Sequence, residues 1–359
     1  MTTEEPARPT AGPATYKGAG VDIAAGDEAV ARIKRTVADT ARPEVLGGIG
    51  GFGGLFAFDP DRYRHPVLVA STDGVGTKAA VAAATGCYDT LGIDLVAMCV
   101  DDVVCTGAEP LFLLDYVSVG KLDPRQMEQL VGGIALGCRK AGCALLGGEM
   151  AEHGPVVSPG HVELAGFAVG VVDRHQMLGP QRVAAGDVLV GLVSPGLRAN
   201  GYTLARHVLL ERAGLALDGP AWPGAGNTLA DELLLPSVIY APAVLAVLGD
   251  LPDRAVHAAA HVTGGGIAGN LSRVLADGVD AVVERSTWEE PRIFDEIRRR
   301  GDVDDDEMQA VFNLGIGMIL VVDSDAASAA CDVLRRAGVS AVEVGRVVEG
   351  SGRVQLVAP

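Results

Sequence analysis

The stretch that most constrains this 359-residue chain is Ser71-Thr72-Asp73-Gly74-Val75-Gly76-Thr77-Lys78. An apolar run, Val67 to Ala70, precedes it, and an Ala-rich run, Ala79 to Ala84, follows it. That order predicts a strand, a tight glycine turn and a helix start. Gly74 and Gly76 can take backbone angles closed to other residues. Backbone N–H groups at a helix N-terminus attract an anion. Thr77 adds a hydroxyl and Lys78 a positive charge. The Asp73 carboxylate would repel a phosphate unless a cation stood between them. One reading is therefore a nucleotide phosphate site with Asp73 on Mg²⁺. The other is an ordinary turn with Asp73 as a local cap. The pattern is neither GxxxxGKS/T nor GxGxxG.

Length predicts two domains of ordinary size. The polar stretch 173–186 places the boundary, giving residues 16–176 and 177–359 after a disordered tail at 1–15. Composition is that of a globular enzyme, with 48% hydrophobic residues and 48 glycines. A formal charge of −17 argues against a nonspecific nucleic-acid or anionic-membrane binder. There is no 18-residue uncharged apolar run and no secretory leader pattern, so a cytoplasmic chain without a membrane span is expected. The six cysteines form no CxxC pair and are expected as free thiols.

Several further stretches carry chemistry. Asp27 can cap a helix running to about Thr40, with Lys34 on its flank. Gly47 to Gly54 holds six glycines around Ile49 and Phe52, which suits a mobile flap closing over a ligand as well as a plain loop. Gly92 to Cys105 reads as a helix with Asp94 and Asp101 on one face and Asp102 beside it. Carboxylates on an apolar helix are costly unless something positive lies opposite. A solvated face and a Mg²⁺ site completed by Asp73 are the two readings. Glu149 follows a strand end and two glycines. Asn200 is a candidate N-cap or ligand amide. Thr263-Gly264-Gly265-Gly266 at a helix start is a second candidate anion site, or else a flexible turn.

In order along the chain, these stretches resemble the phosphoribosylformylglycinamidine cyclo-ligase family. The matching segments are Tyr16-Lys17-Gly18-Ala19-Gly20-Val21-Asp22-Ile23, Arg42-Pro43-Glu44-Val45-Leu46-Gly47-Gly48, Thr72 to Lys78, Gly92 to Met98, Gly107 to Phe112, Gly147-Gly148-Glu149, Asn200-Gly201-Tyr202, His261 to Gly266 and Phe312-Asn313. The resemblance implies an α+β and α/β fold of two domains. The N-terminal sheet domain would pair across a homodimer into a β-barrel, and a C-terminal α/β domain would cover the cleft. It implies a ligase of purine biosynthesis that uses ATP and Mg²⁺ on a small phosphorylated substrate. By position, Asp73, Asp102 and Glu149 would handle Mg²⁺–ATP, and Thr77, Lys78 and Lys34 would contact phosphates. Gly50, Gly51, Phe52 and Gly53 would close over the ribonucleotide, and Asn200, Thr263, Gly264 and Gly265 would hold substrate. Asp73, Lys34 and Arg198 are the candidate catalytic residues.

The chain departs from the family pattern in two places. Where relatives carry His then Ser before Asn-Gly-Tyr, it has Arg198 and Ala199. Where they carry Glu-Thr-Ala-Glu, it has Glu149-Met150-Ala151-Glu152. Arginine cannot exchange a proton near neutral pH, though it can clamp a phosphate. The departures leave two alternatives to the purine reaction. One is a paralogue activating another amide or formyl group with ATP. The other is a nucleotide-binding dimer without catalysis.

Overall fold

Residues 14–154, 156–158 and 160–357 are described by a computed structural model. The tail expected at 1–15 lies outside the described residues except at 14 and 15. The first half begins with helix α1 (Ile23–Ala38). Its cap is Asp22, whose side chain accepts from the Ala25 N–H, and not the expected Asp27, which lies one turn inside the helix. A two-stranded ribbon, β1 (Val45–Leu46) and β2 (Leu55–Phe56), brackets the glycine loop.

Strands β3 (Pro66–Gly74), β4 (Glu109–Val119), β5 (Ala144–Glu152) and β6 (Val162–Asp173) form a four-stranded mixed sheet in the order β3-β6-β4-β5. β4 and β5 run parallel, and β6 is antiparallel to both β3 and β4. β3 runs through Asp73 to Gly74, so the glycine turn is shorter than the sequence pattern suggests. Helices α2 (Lys78–Thr85), α3 (Leu91–Val104) and α4 (Pro124–Ala141) complete this half. Asp123 caps α4 by accepting from the Arg125 N–H, Pro124 opens it, and Gly142 in the left-handed region closes it. This is the usual start-and-stop chemistry of a helix.

One face of the sheet packs on helices and the other does not. Along β3 the odd positions are partly covered and the even ones exposed. On the bare face Leu68, Phe167 and Tyr116 are 66%, 42% and 41% exposed. That is a contiguous apolar surface of the kind that takes a partner.

The second half holds a six-stranded sheet of β7 (Val188–Val193), β8 (Val256–His261), β9 (Val279–Glu284), β10 (Ile316–Val322), β11 (Ala341–Glu349) and β12 (Val354–Val357), in the order β12-β9-β11-β7-β10-β8. Only β12 and β9 are parallel.

Helix α3 joins the halves. Every residue in it is buried except Asp102. Leu95 and Cys99 lie over Gly166 of β6, where a side chain would collide with them. Ala97 and Met98 pack with Ala199 and Ile239 of the second half. α4 presses against α3 through glycines: a Cβ on Gly92 would strike the α4 backbone, and one on Gly137 would strike Val96. A helix that is apolar all round belongs in the middle of a protein.

Candidate active site

The carboxylates of α3 meet their partners across the junction. Asp94 and Lys78 are both fully buried, and Lys78 Nζ lies 2.6 Å from Asp94 Oδ2. Lys78 Nζ also donates to the carbonyls of Arg198 (3.1 Å) and Leu235 (2.7 Å). Asp94 Oδ1 accepts from the Ser237 N–H and hydroxyl. Burial pulls the Lys78 ammonium below its ordinary pKa, and Asp94 opposes that pull. Lys78 was expected on a phosphate. It instead points into the junction, because a buried carboxylate and two carbonyls hold it there.

Arg198 is likewise turned inward, with 2% exposure. Its Nη2 donates to Asp101 Oδ2 at 2.9 Å and to His261 Nε2 at 2.9 Å, and its Nη1 donates to the Val238 carbonyl. The guanidinium lies 4.7 Å over the Tyr240 ring. Asp101 Oδ1 accepts from the N–H groups of Tyr240 and Ala241. The expected role of Arg198 as a catalytic clamp on substrate is therefore corrected. Both Nη2 hydrogens and one on Nη1 are donated inside the protein, and among the described residues Nε has no partner.

This contact fixes His261. A guanidinium can only donate, so Nε2 must accept, and the ring proton sits on Nδ1. Nδ1–H then donates to Asp102 Oδ1 at 2.8 Å. Ser71 Oγ donates to the other oxygen of Asp102 at 3.0 Å. Burial is the largest influence on the Asp102 carboxyl and raises it, but the bond and charge of His261, the Ser71 hydroxyl and the charge of Arg273 together outweigh it and hold the group below its ordinary value. Asp73, near the end of β3, lies within reach of the Asp102 charge. Burial first, and then the charge of Asp102, push the Asp73 carboxyl up, against the pull of the Gly74 N–H. Two half-buried carboxylates, one of them raised by the charge of the other, are a donor pair suited to a divalent cation.

The expected third carboxylate is elsewhere. Glu149 pairs with Tyr116 on β5, three strands from β3, a lateral distance of about 14 Å at ordinary strand spacing. It also follows Tyr116 onto the bare face of the sheet. Among the described residues, no three His, Cys, Asp or Glu side chains converge as a metal cage. The set Asp73, Asp102 and Glu149 is thus not brought together within one chain.

The remaining candidates fall into two places. Thr77 and Asn200 line a cavity of about 580 Å³ with Gly76, Thr203 and His207. Thr77 Oγ1 is 3.0 Å from Thr203 Oγ1, and Asn200 Oδ1 is buried with no partner among the described residues. Asn200 does not cap the following helix, Tyr202–Arg206, whose N-cap is Gly201. Thr263, Gly264 and Gly265 follow His261. Asn270, which the sequence reading missed, donates to the carbonyls of Thr263, Gly264 and Gly266. The helix there, Gly266–Leu271, has six residues, too few for its dipole alone to hold an anion.

The second place lies under the glycine loop. Gly50 and Gly51 roof a cavity of about 280 Å³ floored by Val30, Ile33 and Val131, with Glu149 at its edge. Phe52 and Gly53 line an adjoining one of about 370 Å³. Phe52 is fully exposed. Lys34, also exposed, borders a smaller cavity beside Gly47 to Ile49. Asp115, another residue the sequence reading missed, lines both larger cavities. Burial pushes its carboxyl up to about 7.

Comparison with known proteins agrees with this architecture. Residues 61–172 match the family model "AIR synthase related protein, N-terminal domain", and residues 184–357 match the corresponding C-terminal domain. The chain is 54% identical over 336 residues to a phosphoribosylformylglycinamidine cyclo-ligase of Anaeromyxobacter dehalogenans (strain 2CP-1 / ATCC BAA-258), covering 94% of this chain and 96% of that one. It is 53% identical over 343 residues to the enzyme of that name from Myxococcus xanthus (strain DK1622), covering 96% and 98%. Among solved structures, thiamine-monophosphate kinase from Stenotrophomonas maltophilia K279a superposes with a TM-score of 0.63 at 20% identity, covering 92% of this chain and 95% of that one. Hydrogenase maturation protein HypE in complex with ATP superposes with a TM-score of 0.57 at 18% identity, covering 93% and 90%. Near-complete coverage at about half identity, with both domain models matched, places this chain in the phosphoribosylformylglycinamidine cyclo-ligase family.

Proposed function

We propose that the chain closes the aminoimidazole ring from formylglycinamidine ribonucleotide, with Asp73 and Asp102 as its Mg²⁺–ATP anchor. It is an ATP-dependent ligase of purine biosynthesis. The γ-phosphoryl group of ATP goes to the formamide oxygen and turns it into a leaving group. A substrate nitrogen attacks the activated carbon, and phosphate departs, leaving aminoimidazole ribonucleotide and ADP. Mg²⁺, when bound, neutralises triphosphate charge. The chain's own groups supply position. His261 orients Asp102, Asp102 and Asp73 hold the cation, and Thr77 and Asn200 meet the reactants in the cavity they line. The glycine loop covers the ribonucleotide, with Lys34 at its border. The observation that carries this reading is Asp73 at the end of β3 within reach of the Asp102 charge, with one oxygen of Asp102 held by a histidine of fixed tautomer.

Purified protein with Mg²⁺, ATP and formylglycinamidine ribonucleotide should release ADP and aminoimidazole ribonucleotide together. Absence of both products would reject the reading. Gly50 has φ +108°, a region that a β-branched residue resists. Gly50→Val should therefore raise the KM for the ribonucleotide about tenfold, a loss of the size that misplaced closure brings, and leave the KM for ATP unchanged.

We also propose that the bare face carrying Leu68, Phe167 and Tyr116 pairs with a second copy, closing two sheets into one barrel and removing their exposed surface from water. Light scattering should give twice the chain mass, and Leu68→Arg with Phe167→Arg should give a monomer. Residues 16–176 and 177–359 are proposed as the two functional units. A cytoplasmic setting is in keeping with a biosynthetic enzyme of this kind, and no described helix is long and apolar enough to cross a membrane.

A further inference from the structure

Asp115 stands in the middle of β4 on the helix-packed side, between the buried Leu113 and Val117. It is 8% exposed. Among the described residues its carboxylate has no ion pair and no hydrogen-bond donor beyond its own backbone N–H. An acid this deep is costly unless something positive or N–H-bearing arrives to meet it. It lies against Gly148 on the neighbouring strand, where there is no room for a Cβ. The absence of a side chain there leaves the carboxylate facing the space beneath the glycine loop.

That space contains no cation of its own. No Lys, Arg or His lines either cavity that Asp115 borders, and the other acid there is Glu149. Val30, Ile33, Val37 and Val131 form the apolar walls. A pocket with apolar walls and an unanswered carboxylate selects a flat, cationic group rich in N–H donors. The triphosphate and the ribose phosphate are anions and have no such group. The amidine of formylglycinamidine ribonucleotide is planar, cationic at neutral pH and a donor along its edge.

We propose that Asp115 receives the substrate amidine and thereby distinguishes it from the corresponding amide. This rests on the placement of the ribonucleotide under the glycine loop given above. An amide presents a carbonyl oxygen where the amidine presents an N–H, and a carboxylate repels that oxygen. A site built on such a donor rejects the analogue lacking it far more strongly than an apolar pocket rejects a missing methylene.

The test compares binding of formylglycinamidine ribonucleotide and formylglycinamide ribonucleotide by calorimetry, in the full-length wild type and in Asp115→Asn. The wild type should prefer the amidine by about 100-fold or more. Asparagine, which can donate to a carbonyl, should bring the two within a few-fold of each other. A wild type with no preference overturns the proposal without reference to any variant, so failure of Asp115→Asn to fold would not protect it. A variant that keeps the wild-type preference overturns it too, as does one that keeps the preference but loses the Mg²⁺-dependent thermal shift with ATP, since Asp115 would then serve the metal. An unchanged ribonucleotide KM in Gly50→Val, together with a preference that Asp115→Asn erases, would remove the loop's closing role while keeping the ribonucleotide at Asp115.

Discussion

Asp73→Asn is expected to lower kcat/KM on the order of 10³-fold, the several kcal/mol that charge neutralisation at a metal supplies in phosphoryl transfer. The fold should hardly notice. Among the described residues the Asp73 carboxylate makes one hydrogen bond, accepted from the Gly74 N–H, and an asparagine oxygen can accept it as well. What disappears is half of the paired charge beside Asp102. The Mg²⁺-dependent thermal shift given by ATP should shrink accordingly, because a ligand stabilises the native state in proportion to how tightly it binds. Turnover within threefold of wild type would remove Asp73 from the mechanism.

Arg198→Met is expected to destabilise the protein by about 3–5 kcal/mol, the usual consequence of leaving one member of a buried ion pair alone. Asp101 would keep the N–H groups of Tyr240 and Ala241 and lose the ion-pair partner it has among the described residues. Adding Asp101→Asn should recover most of the loss, since the buried charge goes with it. Urea denaturation of the two single variants and the double measures the coupling. Equal, additive losses would mean that the pair does not act as a unit. Arg198→Met should also lower activity in the surviving folded fraction, because His261 loses the donor that fixes its tautomer.

The replacement of the family histidine by arginine is thereby given a physical meaning. An arginine in this place can persist because Asp101 faces it. Ala199, at the place of the family serine, is buried against Ala97 and Met98, so an apolar residue suits it.

Much of this was legible from residue order. The strand–turn–helix around Asp73 follows from an apolar run, two glycines and an alanine run. The demand that Asp94 and Asp101 face something positive follows from their place on an apolar helix, and Lys78 and Arg198 answer it. Which residues would answer was not legible, because Arg198 lies 97 positions from Asp101 in sequence and chain folding alone brings them together. Lys78 was misread for the same reason: near a glycine turn it resembles a phosphate ligand, and only the packing of the second half turns it inward. Glu149 was read as an acid past a strand end, but β5 runs on through Glu152, so Glu149 sits inside the strand and its face is set by pairing with Tyr116. Asp115 was hidden in the run Leu111 to Val117. With both faces of β4 apolar, alternation does not say which way a lone acid points.

Helix α3 has neighbours on all sides, drawn from both sheets. The two halves therefore share one interior instead of meeting at a flexible seam, and a jaw-like swing between them would have to tear that interior open. Entry and exit of reactants must then be governed at the rim, by the short ribbon and its glycine loop, while the carboxylates at the centre stay where the helix has set them.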